Sequence, residues 1–194
     1  MEIDPGLSSF CAVILAGGRA ARLGGADKAS MEVDGRTLLA RALDAVIDAA
    51  EVVVVGESVP TERPVTFTLE NPRYGGPAAA LLTGRDALLR TAPRLAVLAV
   101  DMPHLRADTF RRLMEAGAGG DGAVLIDPGG RRQLALVLDQ ARLDAVRPGL
   151  EEQHDLPVHR LLAPMDLVEV PSTGTEHRDV DTWADLRDLR SSAP

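Results

Sequence analysis

The chain has little cysteine, few aromatic residues and no excess of basic residues. Its 194 residues include one cysteine and 3% aromatic residues, and the formal net charge is −8. A single cysteine excludes a disulfide within the chain. The negative charge argues against nonspecific nucleic-acid binding, which depends on basic patches. With so few aromatic residues, the core must consist mostly of Ala, Val and Leu.

Long hydrophobic runs are also missing. No segment approaches the ~18 consecutive apolar residues that indicate a membrane span. The first ten residues, MEIDPGLSSF, lack the basic and apolar regions of a signal peptide. The histidines do not have the spacing of zinc ligands. We therefore expect a cytoplasmic protein without membrane or nucleic-acid partners, formed by one domain over residues 1–194 with a flexible tail at residues 1–9.

Apolar segments of strand and helix period alternate along the chain. This alternation predicts an α/β fold with a mostly parallel central sheet and helices on both faces. Thr37 or Asp34 is the expected start of the first helix. The predicted strands cover residues 11–16, 52–55, 65–69, 95–100, 123–126, 133–138 and 166–170. The predicted helices cover residues 38–47, 77–91, 107–116, 139–146, 158–162 and 182–190.

A loop rich in glycine and cations follows the first predicted strand. Residues 15–28 read LAGGRAARLGGADK, with four glycines, two arginines and a lysine. Glycine allows backbone N–H groups to approach an anion closely, and the cations supply the opposing charge. Asp27 stands before Lys28, where the P-loop pattern requires glycine, and the G-x-G-x-x-G pattern is also absent. The loop therefore predicts a third kind of phosphate site, and its alternative is a turn that only joins a strand to a helix.

A second candidate site lies at Asp101-Met102-Pro103, after the apolar strand predicted at residues 95–100. Ligands of open α/β sheets bind outside the carboxyl ends of the strands, so Asp101 should face the same crevice as the glycine loop. A carboxylate beside a triphosphate is a natural Mg²⁺ ligand. The alternative is that Asp101 caps the next helix.

These two motifs resemble the nucleotidyltransferases with a Rossmann-like fold, and most of all the molybdenum cofactor guanylyltransferases. The likeness is carried by the L-A-G-G run that begins at Leu15, by Asp27-Lys28 and by D-M-P at Asp101, with Leu23 where the family usually has methionine. The resemblance covers most of the chain and implies a three-layer α/β/α sandwich. It also implies Mg²⁺-dependent transfer of GMP from GTP to the phosphate of molybdenum-molybdopterin, with release of pyrophosphate.

The resemblance also implies roles for single residues. Arg22 and Lys28 would bind the phosphates, Asp101 would bind Mg²⁺, and these three are the expected catalytic residues. The expected nucleotide-binding residues are Leu15, Ala16, Gly17, Gly18, Lys28, Glu70, Gly76, Pro77 and Asp101.

The base would be recognised near Glu70, in the segment ENPRYGGPAA. Guanine presents N1–H and an exocyclic amine, and one carboxylate can accept hydrogen bonds from both. The family more often has aspartate before this Pro/Gly turn, and the alternative for Glu70 is a solvated side chain in an ordinary loop.

A closing motif, HRDVDTWADL, begins at His177. Asp181 is a candidate second metal ligand, and capping of the next helix by Asp181 or Thr182 is an equal alternative. The D-x-D-T form also occurs in related cofactor cytidylyltransferases, which leaves the base open between guanine and cytosine. His104 is expected in the acceptor pocket, whereas Arg131 and Arg132 either meet an anionic acceptor or lie at a solvated hairpin tip.

Three other functions stay open at the level of the sequence. A cytidylyltransferase for the same cofactor or a sugar-phosphate nucleotidyltransferase would use the same phosphate chemistry. A catalytically inactive adaptor for a nucleotide or cofactor would be expected to lack Lys28 or Asp101, and both are present.

The resemblance also implies partners: a molybdenum cofactor enzyme would transfer its product to cofactor-dependent enzymes in transient contacts.

Overall fold

A seven-stranded sheet forms the centre of the molecule. The structure is a computed structural model that describes residues 10–17, 28–71, 73, 75–180 and 185. The strands of the sheet are β1 (Phe10–Leu15), β4 (Val52–Val55), β5 (Thr66–Thr68), β6 (Arg94–Ala99), β7 (Gly122–Ile126), β8 (Arg132–Asp139) and β9 (Leu167–Pro171). Two further short strands, β2 (Glu32–Val33) and β3 (Arg36–Thr37), form a separate antiparallel hairpin.

The strand order is β5-β4-β1-β6-β8-β7-β9. Only β8 runs antiparallel to its neighbours, so the expected mostly parallel sheet is confirmed. From β1 the chain goes first to β4 and β5 on one side, and then crosses to β6 on the other side. This change of direction places a crevice between the carboxyl ends of β1 and β6, where ligands of open α/β sheets bind.

Helices cover both faces of the sheet. They are α1 (Leu38–Ala45), α2 (Pro77–Asp86), α3 (Ala107–Ala116), α4 (Gln140–Val146) and α5 (Val158–Leu161), with 3-10 turns at Lys28–Ser30 and Leu150–Gln153. Alternate residues of β1 face opposite sides: Ile14 packs in the cluster with α1 and α3, and Val13 packs in the cluster with α2, α4 and α5. The three-layer α/β/α sandwich is therefore confirmed.

The start of α1 distinguishes the two candidates for its N-cap. Thr37 Oγ1 accepts a hydrogen bond from the Ala40 amide at 3.0 Å, so Thr37 is the cap. Asp34 instead forms the hairpin turn with Gly35, and both residues have positive φ, 53° and 74°. Asp-Gly is a strong signal for such a turn, and the sequence analysis missed it.

The helix predicted over residues 77–91 is wrong at its C-terminal end, because α2 stops at Asp86. The amides of Leu89 and Arg90 donate to the carboxylate of Glu51 at 3.0 and 2.7 Å. These contacts hold the segment after α2 against the loop before β4, so it does not continue the helix. The helix predicted over residues 182–190 and the tail at residues 1–9 lie outside the described residues, except for Asp185.

The part of the chain that the structure describes contains no helix that is both long and apolar enough to cross a membrane.

Gly84 allows α2 to lie directly on the sheet. A Cβ atom at this position would lie 2.5 Å from Val13 Cγ1 and 2.9 Å from Val55 Cγ2, and both valines are fully buried. Glycine is therefore required by the close approach of α2 to β1 and β4.

Gly84→Ala should lower the free energy of unfolding by about 1–2 kcal/mol. Overpacking a core costs about 1–3 kcal/mol, and contacts as short as 2.5 Å place this site in the upper part of that range, about 2–3 kcal/mol. Subtracting the ~1 kcal/mol that alanine adds to a helix leaves the predicted loss. Denaturant unfolding measures the change. Gly119→Ala is the control, because a Cβ there meets nothing within 4 Å. An unchanged or increased stability of Gly84→Ala would show that α2 does not pack this closely.

Candidate active site

Asp101 lies two residues beyond β6, at the carboxyl edge of the sheet. The end of β6 is tied to the end of β1, because the Val100 amide donates to the Leu15 carbonyl at 3.0 Å. Leu15 and Asp101 are therefore at the same edge, next to the crevice between β1 and β6. This placement agrees with the arrangement that the sequence predicts.

Lys28 reaches the same crevice from the other end of the glycine loop. Its ammonium group donates a hydrogen bond to Asp101 Oδ2 at 2.8 Å, and the two side chains are 20% and 22% exposed. The pair joins two residues that are 73 positions apart in the sequence. Because both side chains keep access to solvent, a ligand in the crevice can reach the two charges.

The backbone of Asp101 joins the C-terminal segment to this site. Its carbonyl accepts a hydrogen bond from the amide of Val180 at 2.8 Å, and Val180 is fully buried. Asp181, the candidate second metal ligand, follows Val180 in the sequence but lies outside the described residues. Among the described residues, no group of three His, Cys, Asp or Glu side chains is placed to hold a metal ion.

The first residues of the glycine loop continue the sheet. The amides of Ala16 and Gly17 both donate to the Val55 carbonyl, at 2.9 and 2.8 Å. These two N–H groups are therefore used between β1 and β4. Gly18 and Arg22, which the sequence analysis assigns to the nucleotide and its phosphates, lie outside the described residues.

The second predicted nucleotide segment lies between β5 and α2. Gly76 is the N-cap of α2 with φ of 92°, and Pro77 is the first helical residue. The Gly75 carbonyl accepts a hydrogen bond from the Asp155 amide at 2.7 Å, which fixes the turn against the loop before α5. Gly76 and Pro77 thus have a clear structural role at the start of α2.

Glu70 follows β5 at the same edge of the sheet, and its side chain is half-buried. The next residue, Asn71, exchanges two hydrogen bonds with Thr83 Oγ1 in α2, at 3.1 and 3.2 Å. The structure thereby fixes the backbone beside Glu70. Within the described part of the chain, no hydrogen bond joins Glu70 to the Lys28–Asp101 pair.

A cavity of about 700 Å³ opens beside Asp101, over the carboxyl end of β6 and the β7–β8 turn. His104, Arg131 and Arg132 line it, and the two arginines are exposed at the β7–β8 turn, so their role toward an acceptor stays a prediction. The other polar residues of its wall are Asp127, Gln133, Thr175, His177, Arg178, Asp179 and Asp185.

The charges in this cavity are unevenly neutralised. Arg132 forms an ion pair with Glu169 at 2.9 Å, and Asp127 Oδ1 accepts hydrogen bonds from two amides of its own turn. Within the described residues, the guanidinium groups of Arg131 and Arg178 have no hydrogen bond or ion pair. Two cations from separate elements are therefore available to a ligand.

Several positive charges also lie near His104, another residue of the cavity wall. Burial lowers its pKa first, and the positive charges of Arg41, Arg178, Arg106 and His177 lower it further. The lowered pKa favours the neutral imidazole, because an added proton would meet several cations there.

Glu176 is a residue of this region that the sequence analysis missed. It is 7% exposed and is bound to Arg112 by an ion pair of 2.6 Å. Its surroundings in the sequence, TGTEHR, are typical of a solvated loop, so the sequence carries no signal for its burial.

Curated proteins are similar in sequence to much of this chain. A molybdenum cofactor guanylyltransferase of Acidiphilium cryptum is 34% identical over 154 residues, which are 76% of each chain. A molybdenum cofactor guanylyltransferase of Shewanella loihica is 30% identical over 132 residues, which are 66% of each chain. The match to the Shewanella protein thus spans slightly less than two thirds of that protein's length.

Solved structures share the fold. Rv0371c of Mycobacterium tuberculosis in complex with manganese has a TM-score of 0.72 and 19% identity, over 95% of this chain and 100% of that one. The 2-C-methyl-D-erythritol 4-phosphate cytidylyltransferase of Thermus thermophilus has a TM-score of 0.72 and 22% identity, over 93% of this chain and 97% of that one.

The family model for the MobA-like NTP transferase domain matches residues 12–169, which include most of β1, all of β6 and both members of the Lys28–Asp101 pair. This match covers most of the chain. The chain therefore belongs to the MobA-like NTP transferase family.

Proposed function

We propose that the protein transfers GMP from GTP to the phosphate of molybdenum-bearing molybdopterin. The observation that carries this proposal is the Lys28–Asp101 pair at the crevice between β1 and β6. The names of the curated relatives support GTP and the molybdenum cofactor as substrates. The expectations of a single domain, a cytoplasmic location and transient transfer of the product to cofactor-dependent enzymes stay predictions.

In the proposed reaction, an oxygen of the acceptor phosphate attacks the α-phosphorus of GTP. The bond from the α-phosphorus to the bridging oxygen breaks, and pyrophosphate leaves with the electron pair. An acceptor phosphate is already ionised near neutral pH, so a strong general base is not needed. Catalysis then depends on holding the reactants in line and on stabilising charge around phosphorus.

Asp101 would bind the metal ion, and Lys28 would bind the phosphates. The Asp101 carboxylate is accessible and lies where triphosphate oxygens would complete the shell of a divalent cation, which fits Mg²⁺ with one protein carboxylate. A bound Mg²⁺ would neutralise charge on the phosphates. Manganese in the complex of the structural relative Rv0371c supports the use of a divalent cation. Lys28 would then bind the phosphates and the leaving pyrophosphate, together with Arg22, and Asp181 is a further candidate ligand of the cation.

The nucleotide would lie along the edge formed by the ends of β1, β4 and β5. Because the amides of Ala16 and Gly17 already donate to Val55, we assign the backbone donors for phosphate to Gly18 and the residues after it. The chain from Leu15 to Gly17 would form the floor of the site. Glu70 would accept hydrogen bonds from the guanine edge, and Gly76 and Pro77 would place the N-terminus of α2 beside the nucleotide.

The acceptor would occupy the cavity beside Asp101. The guanidinium groups of Arg131 and Arg178, which have no ion pair with any described residue, favour an anionic ligand there, as a phosphorylated cofactor would be. This cavity and the predicted nucleotide edge lie on opposite sides of Asp101, so the two substrates would meet at the pair.

Lys28→Ala should lower kcat by about 100-fold or more, because loss of one preorganised electrostatic group has effects of this size. Asp101→Asn should abolish the Mg²⁺-dependent reaction. Release of pyrophosphate from GTP and molybdenum-molybdopterin measures both effects, and circular dichroism checks the fold. Asp144→Asn is the control, because it breaks the Arg85–Asp144 ion pair away from the site. A folded Lys28→Ala protein with normal turnover would contradict the assignment.

Base selectivity separates guanylyl from cytidylyl transfer. Calorimetry with Mg²⁺ should give the order GTP tighter than CTP and UTP, and Glu70→Gln should weaken GTP binding by about 10- to 100-fold, since hydrogen bonds to a charged group contribute about 1.5–3 kcal/mol. CTP as the tightest ligand would contradict guanine recognition and support the cytidylyltransferase alternative. The fold of the Thermus cytidylyltransferase is consistent with that alternative.

An anion bound in the cavity should raise the pKa of His104, because it offsets the cations that lower this pKa. An NMR titration of His104 with and without inorganic phosphate measures the shift. Arg178→Gln removes one of the cations and should itself raise the pKa. A His104 pKa that responds to neither change would show that the cavity is not a cationic anion site.

A further inference from the structure

The loop that follows β9 forms one wall of the cavity. We call residues 172–180 the C-terminal loop. It contributes Thr175, His177, Arg178 and Asp179 to the cavity. At its start the Ser172 amide donates to the Ile126 carbonyl, and at its end the Val180 amide donates to the Asp101 carbonyl, both at 2.8 Å. The shape of this loop therefore sets the wall of the cavity and touches the backbone of Asp101.

Glu176 lies in the middle of this loop and is not among the residues that line the cavity. Among the residues that the structure describes, it is the only charged residue that is buried. Every other polar residue of the loop is at least partly exposed. A buried carboxylate in a surface loop needs specific partners, because the cost of removing its charge from water is high.

Helix α3 and the loop itself supply these partners. Arg112 Nη2 lies 2.6 Å from Glu176 Oε2 and 2.8 Å from Oε1, and Thr109 Oγ1 donates to Oε1 at 2.5 Å. The Thr173 amide donates to Oε2 at 2.7 Å. The carboxylate thus joins the start of the C-terminal loop to two residues on one face of α3.

The carboxylate is held in its ionised form. Burial alone would raise the pKa of Glu176, but the hydrogen bonds from Thr109, the Thr173 amide and Arg112, and the positive charge of Arg112, outweigh burial and lower the pKa. The charge and its directed hydrogen bonds are therefore present throughout the neutral range.

A buried ion pair is weak evidence for stability, because apolar residues of similar volume often stabilise a protein as well or better. Directed hydrogen bonds differ from apolar contacts in that they fix one arrangement. In this protein, the hydrogen bonds of Glu176 fix the C-terminal loop. This loop carries Arg178, two residues beyond Glu176, on the wall of the cavity.

We propose that Glu176 is a positioning residue for the acceptor substrate: by fixing the C-terminal loop on α3, it places Arg178 to bind an anionic group of the acceptor. This inference rests on the proposed function for the identity of the acceptor. The fixing of the loop by Glu176 does not depend on that identity, so the two parts can be tested separately.

Amide hydrogen exchange tests the fixing of the loop without any substrate. In Glu176→Gln, the amides of Thr173 and Val180 should exchange faster, while those of β1 and β6 stay unchanged. The control Asp144→Asn loses an ion pair of the same length, 2.6 Å, between Arg85 and Asp144, and should leave the loop amides unchanged. Unchanged exchange at Thr173 and Val180 in Glu176→Gln would overturn the proposal.

Steady-state kinetics test the link to the acceptor. Glu176→Gln should raise the KM for molybdenum-molybdopterin by about tenfold or more, as expected for a misplaced binding group, and change the Kd for GTP by less than about twofold. Arg178→Gln should raise the same KM. Because Glu176 acts through Arg178, the double variant should be no worse than the weaker-binding single variant. Additive effects, or equal losses for GTP and acceptor, would overturn the proposal.

A variant without either charge of the Arg112–Glu176 pair keeps the test valid if Glu176→Gln folds poorly. Glu176→Leu combined with Arg112→Leu replaces the ion pair by apolar contacts and should retain the fold, but it should still raise the acceptor KM, since the directed hydrogen bonds are gone. A folded double variant with the wild-type KM would overturn the proposal. If the wild-type protein does not bind GTP, the proposed function fails, and hydrogen exchange still decides the role of Glu176 in the loop.

Discussion

The ion pair between Lys28 and Asp101 is the contact around which the site is organised. It links the end of the glycine loop to the end of β6, across the crevice where the chain changes direction in the sheet. Both charges are partly shielded, so their interaction with phosphate or a cation is stronger than it would be at an open surface. The predicted nucleotide edge lies on one side of this pair, and the cavity lined by Arg131 and Arg178 lies on the other.

The fold supports this pair with few large side chains. The core is built from Ala, Val and Leu on both faces of β1, β4 and β6. Because glycine stands at position 84, α2 lies against Val13 and Val55 and its first turn is held at the carboxyl edge of the sheet. At the same edge, the Val180 amide donates a hydrogen bond to the Asp101 carbonyl. Segments distant in the sequence thus converge at the ends of two neighbouring strands.

Local patterns in the sequence predict much of this arrangement. Runs of apolar residues identify β1, β4 and β6 in the sequence. Because Asp101 follows β6, the general rule for α/β sheets then predicts that it lies at the edge where ligands bind. The predicted end of α2 is wrong because the segment after the helix is held by Glu51, which is far away in the sequence. The Asp34-Gly35 turn has a local signal that was overlooked. The burial of Glu176 has none, since its partners Arg112 and Thr109 come from another element.

The central claim is that the α-phosphate of GTP moves to an acceptor phosphate at the Lys28–Asp101 pair. The most direct measurement uses GTP labelled at the α-phosphorus, incubated with the protein, Mg²⁺ and molybdenum-molybdopterin. The account predicts that the label appears in the dinucleotide product and that the pyrophosphate released is unlabelled. Label that stays in GTP, or that is released as GMP without an acceptor product, would contradict it.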